Sequence, residues 1–425
     1  FAGISSFGYS GTIAHIILQS HSCGGTKPSQ AITESQLSES SDLTVWMFAG
    51  QGTLKLDAAK AMYHDEPAFQ AAMGRCDEIM RKLCGYAASE ILFTHSAIPT
   101  EEALSRLNDT LYAQPVLVAL EYSLSELWKA RGFVPGIVFG HSLGEYTAAV
   151  VAGIMSIEDC LRLVCKRARL ISEFESCRGG MAAVRVTRED LESAIANSSL
   201  QKLLSVAAVN GTLSTVVSGN SEALQELLAS QNWSHRILNV SNAFHSPLML
   251  EIVSEYENAL EKIDLKLPSC TFISTVTGEK ITETSKKYWI DHLLEPVLFD
   301  HAFKSALELF PRTFVEFGPD HTLQGLANNI LKISKKSDSI SLLSCLTGLD
   351  RNNVVSHFPL LTRTHRMIQQ ISREERNQCT VVQCKLHKGI ISDWLEDHVV
   401  HGAVLLPAAG QLEMTLAATA KFHCN

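Results

Sequence analysis

Ser142 stands in Gly140-His141-Ser142-Leu143-Gly144, between the apolar run 136–140 and the alanine-rich stretch 143–152. A serine hydroxyl acts as a nucleophile when the backbone presents it openly and a nearby base takes its proton. The run before it reads as a short buried strand, and the stretch after it as a helix that Gly153 ends. On a sharp strand-to-helix turn, glycines two residues to either side remove the Cβ clashes the turn would create. The following helix aims its free N–H groups and positive dipole end at an oxyanion forming nearby. By chance alone the five-residue pattern arises in roughly one chain in ten of this length. The flanking strand and helix favour a nucleophilic serine.

A base is needed next. His245, in Asn242-Ala243-Phe244-His245-Ser246-Pro247, is held on a loop because Pro247 prevents a helix from starting earlier. Among sixteen histidines, one on a loop is more often solvent-facing than catalytic. Its position at a domain junction, where pockets form, raises it above the others. Gln51, between Gly50 and Gly52, follows the first strand of the main domain at its carboxyl end, the edge where open α/β sheets bind ligands. A plain turn glutamine is an equal reading. Lys166, Arg167 and Arg169 share a helix with Leu161, Leu163, Val164, Ala168 and Ile171. A solvated face is the ordinary reading of such charges. Yet at least one arginine must lie near the apolar side, where its fork could bind a carboxylate. His398, ahead of His401-Gly402, is either a base or a turn cap, and spacing does not decide between them.

These residues sit on an α/β rhythm. Residues 1–19 read as a glycine-rich turn and an apolar strand, and 20–42 as a polar linker. From Leu43, strands alternate with helices near 57–84, 112–131 and 157–174. Residues 180–241 break the rhythm as β-α-β-β-α-β, a split βαβ subdomain. In it, Thr187 caps the first helix with Asp190 three residues on, and Asn210-Gly211 signals a hairpin. The α/β pattern resumes with a helix over 247–263, a strand over 270–276, a helix over 298–310, the strand 314–317 and a helix over 322–333. A polar connector follows, and the last 35 residues begin a new unit of two short strands and a helix.

Composition bounds the function. At 425 residues, with 46% hydrophobic and 19% charged residues, the chain has core enough for two or three globular domains. A net charge of −9 without a basic cluster argues against nucleic acid as the main partner. No apolar run approaches membrane-spanning length. Eleven cysteines lack C-x-x-C pairs or metal spacing, so no metal site is expected. Cys76, Cys84, Cys160 and Cys165 fall in helical patterns and read as reduced core thiols, which fits an intracellular, cytoplasmic protein. The chain opens at Phe1 in mid-pattern and reads as a piece of something longer.

Residues 44–332 resemble the acyltransferase domain of type I polyketide and fatty acid synthases. The resemblance rests on the GQG loop (50–52), GHSLGEYTAA (140–149), KRARL (166–170), NGTLSTVVSG (210–219), AFHSPLM (243–249), Pro296-Val297-x-Phe299 and Glu316-Phe317-Gly318-Pro319, in order and at matching spacing. Residues 3–18 resemble the end of a ketosynthase domain, and 392–420 the start of a dehydratase domain with its H-x-x-x-G-x-x-x-x-P signature. The implied division is a ketosynthase remnant over 1–19, linker over 20–43, acyltransferase over 44–334, connector over 335–390 and dehydratase piece over 391–425. The implied fold is a hydrolase-like parallel-sheet α/β core with an inserted ferredoxin-like subdomain, followed by the start of a hot-dog dehydratase.

The same resemblance implies roles. Ser142 would be the acylated nucleophile, His245 its base, and Gln51 with the backbone N–H of Leu143 the oxyanion hole. Arg167 would hold the carboxylate of a malonyl group, and Phe244 and Leu143 look like the malonyl-selecting variants. His398 would be the dehydratase histidine. The donor would be malonyl-CoA, with no covalently bound cofactor. The acceptor would be the phosphopantetheine thiol of an acyl carrier protein, inside a homodimeric synthase with ketosynthase and dehydratase neighbours. Thr53-Leu54 after the GQG loop and Ile13 in the ketosynthase-like segment depart from the family pattern. A serine esterase or thioesterase, with an acid between 142 and 245 completing a Ser…Asp/Glu…His order, is the rival enzyme. A non-catalytic docking segment is the rival from another class.

Overall fold

The computed structural model describes residues 43–93, 100–334 and 340–346 in full, together with the backbone of six short strands outside them. Those strands form three antiparallel pairs: β1 (Ala2–Phe7) with β2 (Ile13–Leu18), and, near the other end, Ile368–Arg376 with Cys379–Leu386 and Val399–Val400 with Ala403–Val404. The first segment is thus a hairpin, where the sequence suggested a turn and one strand. His398 lies outside the described residues. These pairs belong to one compact unit (1–42 and 349–425), and residues 43–348 form the other.

In the larger unit β3 (Thr44–Phe48) enters first, and its last four residues are buried. Uninterrupted Val-Trp-Met-Phe suits a strand covered on both faces, as in parallel sheets. After a helical stretch containing α1 (Pro67–Cys84) and α2 (Thr110–Ala130), the chain returns as β4 (Ile137–Gly140) and turns directly into α3 (Gly144–Val151). Helix α4 (Ile157–Glu173) follows, its N-terminus capped by Ser156, whose hydroxyl accepts from the Asp159 N–H.

The chain then leaves for the subdomain: β5 (Gly180–Val184), α5 (Arg188–Ala196), β6 (Leu204–Gly211), β7 (Ser214–Gly219), α6 (Ser221–Ser230) and β8 (His235–Ile237). Its four strands lie in the order β6-β7-β5-β8, all antiparallel. A separate core of Leu191, Ile195, Leu204, Val217, Leu224 and Leu227 fills the space beneath the two helices. Thr187 caps α5 through the Asp190 N–H, as its sequence pattern predicts. The hairpin turn differs from expectation. Asn210 and Gly211 are still in β6, Gly211 pairs with Ser214, and the turn is Thr212-Leu213. The register shifts between Val209 and Gly211, so Asn210 is the extra residue of a bulge, and its side chain bonds to His141 instead.

Back in the main layer come α7 (Val253–Leu260), β9 (Thr271–Ile273), β10 (Lys280–Ile281), α8 (Lys286–Leu294), α9 (Phe299–Leu307), β11 (Thr313–Phe317), α10 (Thr322–Ser334) and β12 (Ser341–Ser344). The segment expected as a single helix over 247–263 starts as a 3-10 turn over Pro247–Ile252. The sheet order is β10-β9-β4-β3-β11-β12, parallel except at the β10 edge. Strand β12 comes from the stretch that reads as connector in the sequence. It adds to the sheet in register with β11.

Two glycines set how tightly β4 turns into α3. A Cβ on Gly140 would lie 2.1 Å from the Glu145 N, and one on Gly144 would lie 2.2 Å from the Phe48 carbonyl oxygen. Both obstacles are backbone, so neither can swing away. We expect Gly144→Ala to destabilise the domain by roughly 2–4 kcal/mol through overpacking. Urea unfolding followed by tryptophan fluorescence measures it; a midpoint equal to that of the unmodified protein would contradict the tight approach.

Candidate active site

Strands β3 and β4 are adjacent, and Phe48 pairs with Gly140 at their carboxyl ends. The GQG loop and the serine turn therefore leave the same edge of the sheet side by side. The His141 N–H donates to the Phe48 carbonyl (2.8 Å), tying one turn to the other strand. Gly50 packs against His141 so closely that a Cβ would sit 2.9 Å from its carbonyl oxygen. Ser142 itself has φ +52°, the left-handed region that L-residues enter only under constraint.

Ser142 Oγ lies 2.7 Å from His245 Nε2. The other ring nitrogen, Nδ1, is 2.9 Å from the backbone carbonyl oxygen of Glu295. A carbonyl only accepts, so Nδ1 carries the proton and Nε2 presents its lone pair to the serine hydroxyl. The carboxylate that an esterase-type triad requires is absent from that position: the third group is a main-chain oxygen. His245 also has a left-handed backbone (φ +54°), and its own carbonyl accepts from Ser205 Oγ on β6 (2.8 Å).

The Glu295 carbonyl is fixed by what comes after it. Val297 N–H donates to the Ala207 carbonyl (2.9 Å), and the Val297 carbonyl accepts from the Val209 N–H (2.8 Å), stitching this segment to the subdomain. The histidine loop is fixed on its other side by Asn242, whose amide nitrogen reaches the carbonyls of Ile171 (3.3 Å) and Cys177 (3.4 Å).

Of the basic trio only Arg167 is buried, at 2% exposure. Lys166 pairs with Glu255 at the surface, and Arg169 is exposed. Arg167 Nη1 donates to Gln114 Oε1 (2.5 Å), and its guanidinium carbon stands 5.8 Å from the Tyr146 ring centroid and 5.9 Å from that of Phe244. Its Nε is buried without a partner, and no described carboxylate forms an ion pair with it. A buried cation held by a neutral amide and two aromatic faces leaves most of its charge uncompensated. The polar chain continues: Gln114 Nε2 donates to Gln51 Oε1 (3.1 Å), Gln51 Nε2 to Thr110 Oγ1 (3.1 Å), and Thr110 Oγ1 to Asn242 Oδ1 (2.8 Å). Arg167, Gln51 and the histidine loop are thereby parts of one network. Leu143 is buried at the start of α3, where helix N–H groups have no intrahelical acceptor.

Gln114 and His292 were not singled out from the sequence. Gln114 lies inside the long apolar helix α2 and reads as a core position. His292, on α8, donates from Nε2 to the Ser142 carbonyl (3.0 Å), while its buried Nδ1 has no partner. Its only sequence signal is a histidine in an aromatic helical stretch, as a core histidine would give. Glu145, in the first turn of α3, is fully buried and bonded by the Thr275 N–H (2.8 Å), the Thr275 hydroxyl and the Tyr288 hydroxyl. Burial pushes its carboxyl up to about 7.

The sheet, the strained serine on its strand-to-helix turn and the antiparallel insert define an α/β acyltransferase. Residues 45–371 match the family model described as acyl transferase domain, and the chain belongs to that family. Residues 365–425 match the polyketide synthase dehydratase domain. The chain is thus an acyltransferase domain of polyketide synthase type followed by the start of a dehydratase domain. It is 30% identical over 344 residues to the PKS-NRPS hybrid synthetase acdB of Aspergillus candidus, covering 80% of this chain and 14% of the synthetase. The chain therefore spans only a small part of that relative. The acyltransferase domain from the second module of the salinomycin polyketide synthase superimposes with TM-score 0.65 at 32% identity, over 72% of this chain and 69% of that one. The acyl transferase domain of SpnD, solved in complex with 2-(pent-4-yn-1-yl)malonyl, gives TM-score 0.63 at 26% identity, over 72% of this chain and 71% of that one.

Desolvation, and next the charge of Arg167, lower His245 to about 3 from an ordinary 6.5. A depressed histidine stays neutral as the pH falls, so Nε2 remains free to accept a proton well below pH 6.5. Labelling of Ser142 by a fluorophosphonate should run at an unchanged rate from pH 7 to pH 5 and fall only at more acid pH. Rates followed by mass spectrometry of the Ser142 peptide check this, and a midpoint near 6.5 would contradict it.

Proposed function

We propose that this domain loads a malonyl-type extender unit from its coenzyme A thioester onto the phosphopantetheine thiol of an acyl carrier protein, through an ester on Ser142. The observation that carries this reading is the buried Arg167, uncompensated by any described carboxylate and in the same network as Gln51 and the His245 loop. A guanidinium in such a place suits a carboxylate brought in by the substrate, which it can grip with two parallel hydrogen bonds. The SpnD neighbour, in complex with a 2-substituted malonyl, supports a malonyl-type carboxylate as the ligand class.

In the first half-reaction Ser142 Oγ attacks the thioester carbonyl while His245 Nε2 takes its proton. The oxyanion is met by the Leu143 N–H and the Gln51 loop at the sheet edge. The tetrahedral adduct collapses, the carbon–sulfur bond breaks, and the coenzyme A thiolate leaves with the proton from His245. In the second, His245 deprotonates the carrier thiol, whose sulfur attacks the ester carbonyl; the carbon–oxygen bond to Ser142 breaks and the serine oxygen takes the proton back from His245. The imidazolium formed in each half is stabilised by the Glu295 carbonyl, and the malonyl carboxylate at Arg167 offsets the positive charge beside it. Phe244, whose ring centroid stands 5.9 Å from the Arg167 guanidinium carbon, and Leu143 are the residues that favour malonyl over branched extenders in this reading.

The carrier protein, ketosynthase and dehydratase neighbours, a homodimeric assembly and a cytoplasmic location belong to the same reading. Among the described residues, no helix is long and apolar enough to cross a membrane. His398 is the dehydratase histidine in this reading.

Incubation with isotopically labelled malonyl-, methylmalonyl- or acetyl-CoA, then mass spectrometry of the Ser142 peptide, tests the assignment directly. Malonyl should accumulate fastest. Replacing Arg167 by Ala should lower malonyl kcat/KM by at least about 100-fold, equivalent to roughly 3 kcal/mol of lost charge-assisted bonding. Turnover of uncharged acyl thioesters should survive in that variant. Unchanged malonyl loading would remove Arg167 as the clamp, and no acylation of Ser142 by any donor would favour a docking segment.

A further inference from the structure

Away from the Ser142 site, helix α1 ends at Cys84 and helix α4 carries Cys165, and the two sulfurs stand 3.9 Å apart. The sequence suggested buried core thiols, but both are only partly buried. They line a cavity of about 150 Å³ that Tyr86, Tyr112, Arg169 and Glu173 complete. The site is built: two sulfurs in van der Waals contact, a cationic side chain beside them, and room for a small molecule. Tyr86 is fixed there by its hydroxyl, which donates to the Leu111 carbonyl (2.9 Å).

The two thiols are not equivalent. The Cys84 S–H has its own acceptor in the Met80 carbonyl (3.1 Å). Even so, Cys165 S–H donates to Cys84 Sγ, and this bond, followed by the Tyr86 backbone N–H and the charge of Arg169, pulls the Cys84 thiol down to about 7 against its partial burial. The same bond, with burial, pushes Cys165 up. Cys76, Cys160, Cys177, Cys270 and Cys345 are all raised by burial. Among the described cysteines, only Cys84 is drawn toward the thiolate.

We propose that Cys84 and Cys165 form a peroxide-responsive dithiol that closes to an intramolecular disulfide joining α1 to α4. The Cys84 thiolate attacks one oxygen of a hydroperoxide. A sulfur–oxygen bond forms, the oxygen–oxygen bond breaks, and the departing hydroxide or alkoxide takes a proton from water. The Cys165 sulfur then attacks the sulfenic sulfur of Cys84. The sulfur–sulfur bond forms, the sulfur–oxygen bond breaks, and the Cys165 proton leaves with hydroxide as water. Each sulfur gives up one electron, and the peroxide takes two. The in-contact partner makes the second step faster than further oxidation of Cys84. Thioredoxin-type dithiols would reverse it.

The full chain, reduced, desalted and treated with one equivalent of hydrogen peroxide at neutral pH, provides the test. Non-reducing peptide mass spectrometry should show the Cys84 and Cys165 peptides joined with loss of two hydrogens, and the thiol titre of the denatured chain should fall by two. Cys84→Ser should abolish the link. Cys165→Ser, whose hydroxyl can still donate, should leave a Cys84 sulfenic acid that dimedone traps. Circular dichroism matching the unmodified chain excludes misfolding in both variants. The proposal is overturned if both thiols remain alkylatable after peroxide, if Cys84 pairs with another cysteine, or if folded Cys165→Ser yields no dimedone adduct.

Discussion

The site depends on how closely two backbones approach. Strand β4 turns into α3 with no room for a side chain at Gly140 or Gly144, and α3 begins against the carbonyl of Phe48 at the end of β3. That contact forces Ser142 into a left-handed conformation. The strain is held in place by bonds made elsewhere: His141 to Phe48, and His292 to the Ser142 carbonyl. A looser turn would relax the serine, and its hydroxyl would leave the line of His245. The buried carboxyl of Glu145, bonded by Thr275 and Tyr288, anchors the same helix to the segment after β9.

The inserted subdomain is part of what orients the His245 imidazole. Its first and last segments are paired at the point of departure, where Gly179 N–H donates to the Ser241 carbonyl and Ala243 N–H to the Cys177 carbonyl. The His245 loop is therefore the return path of the insert. On its other side β6 grips Val297 and so holds the Glu295 carbonyl against Nδ1. A main-chain acceptor orients the imidazole as a carboxylate would, while adding no full negative charge beside it. That matters next to Arg167. Burial, and next the cation, keep His245 neutral, and the charge of Arg167 stays available for a ligand.

The elements that carry the motifs were largely legible in the sequence. Glycine spacing around Ser142, Pro247 after the histidine loop and the 2.0-to-3.6 changes in hydrophobic period gave the elbow, the loop and the β-α-β-β-α-β insert. The bulge at Asn210 escaped it, because Asn-Gly is a strong turn signal and nothing local reveals that the Asn side chain is needed by His141, 69 positions away. Strand β12 escaped it too. A four-residue strand of Ser-Leu-Leu-Ser has no period of its own, and becomes a strand by pairing with β11.

By itself the sequence determined which side chains could do chemistry and on what kind of element each would stand, since turn sterics and helix or strand periodicity are local properties. Only the tertiary structure decided which of them meet. It placed His245 on Ser142 across 103 positions, supplied the Glu295 carbonyl as the orienting group in place of an acid, and buried Arg167 while leaving Lys166 and Arg169 nearer the surface. Those outcomes depend on strand order and on the stitching of the insert to Val297. Such pairings between distant segments leave no mark in the local pattern of either one.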